Sequence, residues 1–75
     1  MPRIVPQDSD RLVEVFKKVG YVFSRISGDH IVMVKQGSPR PLVIPRKKNV
    51  PVFVILNNLR LAGISRDEYL KLLQA

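Results

Sequence analysis

The chain has no cysteine and a single histidine, His30. The first absence excludes disulfides, thiolate nucleophiles and cysteine-based zinc sites. With only six acidic side chains beside one histidine, too few ligands remain to call for a metal, so the reading is of a protein with no metal and no small-molecule cofactor. Acidic residues are themselves scarce: six Asp and Glu face thirteen Lys and Arg, giving a net charge of +7 and a pI near 10.4. No window approaches the roughly 18 uncharged apolar residues of a membrane span, and Met1 to Asp8 lacks the apolar stretch of a signal peptide. These absences lead to the expectation of a soluble, cytoplasmic protein with no membrane partner. A phosphate-cradling glycine run and a nucleophile elbow are missing as well.

What is present fits one small domain. Seventy-five residues with 45% hydrophobic content leave no room for a second core; the domain is expected to span residues 1–75, with 1–7 as a lead-in. A strongly basic balance speaks about partners, and here it points to nucleic acid or to an acidic protein. A membrane surface is the weaker choice, since no segment pairs a clean apolar face with a cationic one.

Asp8 is placed to cap a helix in which Leu12, Val15, Phe16 and Val19 recur at helical spacing, with Gly20 as the stop. Its outer face carries Arg11, Glu14, Lys17 and Lys18, a solvated face whose basic end is within reach of a phosphate. From Tyr21 the period shortens. Tyr21 to Ile26 is aromatic and β-branched, Gly28-Asp29 is a two-residue turn, and Ile31 to Val34 returns as a second strand. After Gln36 to Pro39, the segment Pro41 to Pro45 makes a short third strand bracketed by prolines; since proline cannot donate to a ladder, it belongs on an edge and the second strand in the middle. Arg46-Lys47-Lys48-Asn49 is a basic turn, after which Pro51 fits the first helical position ahead of Val52, Ile55, Leu56 and Leu59. Ala62-Gly63 ends that helix. Ser65 to Glu68 is a capping box opening a last helix with Tyr69, Leu70, Leu72 and Leu73. The order is α-β-β-β-α-α: an α+β domain with a three-stranded antiparallel meander, helices on one face and the other face free.

Two readings of the polar residues follow. Arg25, Lys35, Arg40, Arg46, Lys47 and Lys48 crowd the strand ends as a phosphate-binding patch, or else are solvated turn chemistry that protects an edge strand. His30 is either an acid or base for RNA cleavage, helped by those cations, or a structural residue at a hairpin end. With no second histidine, any proton-transfer partner is a lysine, an arginine, Tyr21, Tyr69 or water. Asp29 reads as turn chemistry, and alternating Tyr21 and Phe23 read as core residues before they read as base-stacking ones.

From Asp8 to Leu73 the chain resembles the HicA family of toxin–antitoxin mRNA interferases. The likeness rests on Lys18-Val19-Gly20-Tyr21, the strand carrying Arg25, the Gly28-Asp29-His30 element, Val43-Ile44-Pro45-Arg46 and the Leu59 to Tyr69 tail. The resemblance implies a double-stranded-RNA-binding-domain-like fold, a metal-independent endoribonuclease acting on mRNA, His30 as its catalytic residue, and a HicB-type antitoxin that covers the active site. Two positions depart from the family pattern: Asp29 stands where a serine is usual, and Lys47, followed by Lys48, where a second histidine often follows the Pro-Arg step. Lys47 can keep a phosphate contact but is a poor general base. A non-catalytic RNA- or DNA-binding module on the same basic surface is the alternative.

Overall fold

Asp8 caps the first helix with its side chain. Its backbone is extended and its Oδ1 accepts the N–H of Asp10 at 2.8 Å, starting α1 (Ser9–Lys18). The computed structural model describes residues 3–74, so residues 1 and 2 of the expected lead-in lie outside the described residues. The rest of that lead-in is pinned: Ile4 packs against the core, and Gln7 and Val50 exchange backbone hydrogen bonds at 2.7 and 3.4 Å. Leu12, Val15 and Phe16 turn inward from α1. On its outer face Arg11 donates to the carbonyl of Leu73 at 2.8 Å and Lys18 to that of Leu72 at 3.0 Å. These two cations fasten the end of the last helix, where carbonyls lack intrahelical donors.

Three strands follow, β1 (Val22–Ser27), β2 (His30–Val34) and β3 (Leu42–Pro45), in the spatial order β1-β2-β3 and antiparallel throughout. The proline-bracketed strand is on the edge and β2 is central, as expected. Pairing sets Ile31 beside Ile44 and Met33 beside Leu42, and these four, all nearly or fully buried, form the sheet's contribution to the core. Alternation sends His30, Val32 and Val34 to the opposite face. Val32 is nonetheless buried, flanked on that face by Arg25 and Val43. The outer edge of β3 is not left bare: Asn58, buried, donates from Nδ2 to the Val43 carbonyl at 3.2 Å.

Helix α2 (Val52–Ala62) buries Ile55, Asn58 and Leu59 and ends at Gly63. Its start corrects the sequence reading by one residue. Pro51 is the N-cap with extended ψ, and its carbonyl accepts the first helical bonds from Val54 and Ile55 at 3.1 and 3.2 Å, so Val52 rather than Pro51 is the first helical residue. Helix α3 (Arg66–Gln74) opens as the capping box requires, with the Glu68 N–H donating to Ser65 Oγ at 3.1 Å. No helix among the described residues is long and apolar enough to cross a membrane.

Tyr69 is fully buried on α3, and its hydroxyl has no hydrogen-bond partner among the described residues. Burial raises its pKa from 10.0 to about 12, against the opposing pull of the Arg11 charge. Because the folded value lies above the unfolded one, ionisation favours the unfolded chain. The stability held by neutral Tyr69 is therefore complete below pH 10 and lost as pH rises from 10 towards 12. Denaturant titration is expected to show Tyr69→Phe as stable as the parent or slightly more so at pH 7, since it removes an unpaired buried hydroxyl. Between pH 9 and pH 11.5 the parent should lose about 2 kcal/mol more than the variant. Equal losses would overturn this account of the residue.

Candidate functional site

A two-residue turn fixes His30. Gly28 takes φ +61°, in the left-handed region open to glycine, while Asp29 keeps a negative φ, the pattern of a type II′ hairpin turn. Ser27 therefore pairs directly with His30, and Pro45 pairs with it from the other side. His30 is exposed, on the face turned away from the helices. Cross-strand neighbours on one face stand about 5 Å apart at Cβ and diagonal ones about 7–8 Å. Ser27 is thus immediately beside His30, and Arg25, diagonal to it on the same face, brings a long guanidinium within reach.

That placement of Arg25 contrasts with its neighbour Phe23 because β1 carries a bulge. The register shifts between Phe23 and Arg25, leaving Ser24 as the extra residue, so Phe23 pairs with Met33 on the core side while Arg25 pairs with Val32 on the open side. Strict alternation puts both on one face. Being on the sheet's edge, Phe23 remains 50% exposed, so the expected core role is only half realised. Tyr21 is buried, 2% exposed, and meets Phe16 edge-on with ring centroids 6.1 Å apart. It precedes β1 rather than opening it.

The basic turn after β3 is held by its backbone. The Arg46 N–H donates to the Asp29 carbonyl at 2.7 Å, the Lys47 carbonyl accepts from the Ser9 N–H at 3.0 Å, and Val50 is paired with Gln7. One side of the turn is thereby tied to the hairpin that carries His30 and the other to the start of α1. The side chains of Arg46, Lys47, Lys48 and Asn49 all remain exposed. Main-chain anchoring with free cationic side chains is what a preorganised phosphate site needs, since little backbone ordering is left to oppose binding.

The six candidate cations do not form one group. Arg25, Arg46, Lys47 and Lys48 gather with Gly28 and Asp29 at the His30 end of the sheet. Lys35 and Arg40 flank the opposite end, five residues or about 16 Å along β2 from His30. This corrects the picture of a single crowd of charge. Lys35 also has an evident packing role: its Nζ lies 5.7 Å from the Tyr21 ring centroid, and its Cε is 3.2 Å from where a Cβ on Gly20 would stand. Arg11 and Lys18, two of the cations on α1, are engaged with α3.

Three features escape a reading of the residues alone. Ser27 opposite His30 follows from the two-residue turn once the pairing is worked out. The backbone ties of the basic turn have no side-chain signature. Phe53, 75% exposed on the first turn of α2, is the most exposed large hydrophobic side chain among the described residues, and its only sequence sign is that it falls off the Val52, Ile55, Leu56, Leu59 stripe.

Comparison with known families gives one match. The family model for the HicA toxin of bacterial toxin–antitoxin systems matches residues 9–64, three-quarters of the chain. That span takes in α1, the whole sheet, the basic turn and α2, and with them His30 and the six candidate cations. No individually curated protein matches the chain. The matched span and the α-β-β-β-α-α architecture place the chain in the HicA toxin family of bacterial toxin–antitoxin systems.

Proposed function

We propose that this toxin is a metal-independent endoribonuclease that cleaves mRNA in the cytoplasm and thereby blocks translation and growth. The observation that carries the reading is an exposed His30 on the open sheet face, between Arg25 on one side and the anchored Arg46-Lys47-Lys48 turn on the other. In the chemistry proposed, the 2′-hydroxyl attacks the adjacent phosphorus, the bond to the 5′-oxygen breaks, and the strand ends in a 2′,3′-cyclic phosphate and a 5′-hydroxyl. His30 takes the proton from the 2′-hydroxyl and a proton is returned to the departing 5′-oxygen. The cations stabilise the negative charge that gathers on the phosphorane oxygens. Tyr21 and Tyr69 drop out as proton-transfer partners, since both are buried. That leaves His30 itself, a lysine, an arginine or water for the second transfer.

Family membership implies a cognate antitoxin. In this reading the antitoxin is of the HicB type and covers the site around His30, and an acidic surface on it would suit a +7 toxin.

The test is cleavage of a defined RNA by purified protein in excess chelator, with the ends of the products analysed. Cyclic phosphate and 5′-hydroxyl ends, and no cleavage where a 2′-deoxynucleotide occupies the cut position, are expected. Loss of activity in chelator, or 5′-phosphate ends, would replace this mechanism with a metal-dependent one. RNA that is bound but left intact would favour the non-catalytic binding module.

A further inference from the structure

The outer face of α2 is not explained by the fold or by the site around His30. Its core face uses Ile55, Asn58 and Leu59, and the opposite face presents Phe53, Asn57 and Arg60, all exposed, at the i, i+4, i+7 spacing of one helical stripe. Phe53 is 75% exposed, a poor placement for an aromatic whose burial would contribute about 1.5–3 kcal/mol. The helix carries no acidic residue at any position, and the turn that leads into it is Arg46-Lys47-Lys48.

The fold links this helix to the strand next to β2 and to the basic turn. Asn58 donates to the Val43 carbonyl, which lays α2 along β3. Phe53 lies five residues before Asn58, about 7.5 Å along the helix axis, on the side where the chain arrives from the anchored basic turn. Along the chain, the basic turn that is tied to the His30 hairpin through Arg46 and Asp29 leads within five residues of Lys48 to Phe53, at the start of the stripe.

We infer that Phe53 is a stacking platform for an unpaired base of the bound RNA, next to phosphates neutralised by the Arg46-Lys47-Lys48 turn. Single-stranded nucleic acid is bound by this combination of aromatic faces and a cationic track. Asn57 can meet a base edge and Arg60 a further phosphate. The charge around Phe53 argues for the occupant: α2 carries no acidic residue, Arg60 lies on the same stripe as Phe53, and the turn that precedes the helix is Arg46-Lys47-Lys48, a setting that favours an anionic ligand with an aromatic-stacking base. The inference rests on the RNA reading above and adds to it a place for bases flanking the cleaved bond.

The chain contains no tryptophan, so F53W installs a unique fluorophore at the proposed contact. In an H30A background that prevents cleavage, titration with a mixed-sequence single-stranded RNA 12-mer should quench that fluorescence saturably, with the same midpoint as binding measured by anisotropy of a labelled RNA. H30A with Phe53→Leu, which keeps an apolar side chain but no aromatic face, should bind the 12-mer about tenfold more weakly. If RNA binds while the F53W emission stays unchanged, or Phe53→Leu binds as tightly as its parent, the stacking assignment is overturned and the RNA reading survives. If the Phe53 parent fails to bind the 12-mer at all, the RNA reading itself fails and the platform with it.

Discussion

Replacing His30 by alanine is expected to reduce RNA cleavage by about 10²- to 10⁴-fold, the range that a positioned acid or base contributes, with almost no change in stability. The two halves of this result come from the same placement. His30 is exposed, its ladder partners Ser27 and Pro45 are engaged through the main chain, and alanine keeps that main chain. A substitution of this kind normally stays within about 0.5 kcal/mol, which for so small a domain shifts the melting temperature by no more than about 4 °C. Rate constants for one RNA, taken beside thermal melts of both proteins, check both halves. Unchanged cleavage would move the chemistry to the surrounding lysines and arginines. A collapse in melting temperature would make His30 the structural hairpin residue that its sequence position also allows.

The parts of this fold that are legible from sequence are those in which one residue type has one local job. Asp8 and Ser65 cap helices because a short side-chain oxygen can reach a free N–H two or three residues on. Gly28 makes the hairpin because the turn needs a positive φ, although the Ser27–His30 pairing that results emerges only once the strand register is known. Charge is legible as an amount and not as a location. Thirteen cationic residues announce an anionic partner, but the separation of Lys35 and Arg40 from His30 depends on strand register. The bulge at Ser24 is hidden for a related reason: an extra residue in an apolar strand has no marker, so Phe23 and Arg25 read as sharing a face when they do not. The ties from Arg46 to Asp29 and from Lys47 to Ser9 are invisible because they join backbone atoms distant in sequence.

That division of charge sets the second large effect. Changing Arg46, Lys47 and Lys48 together to glutamine is expected to weaken RNA binding about 50-fold near 0.15 M salt. It should also flatten the slope of log affinity against log salt by about 2, because each phosphate neutralised on a single strand adds roughly 0.7 to that slope. The fold should survive, since the turn is held by the Arg46 N–H, the Lys47 carbonyl and the Val50 backbone, all of which glutamine at 46–48 leaves in place. Lys35→Gln with Arg40→Gln is the comparison: these residues flank the far end of the sheet, and the pair should change the slope by well under about 1. Filter binding or anisotropy from about 0.05 to 0.5 M salt, on an uncleavable RNA, measures both. A triple variant with the parent's slope would reduce the turn to solvated charge. A Lys35 and Arg40 pair that flattens the slope as much as the triple would mean that RNA lies along the whole open face, and that the cations act as one field in spite of their separation.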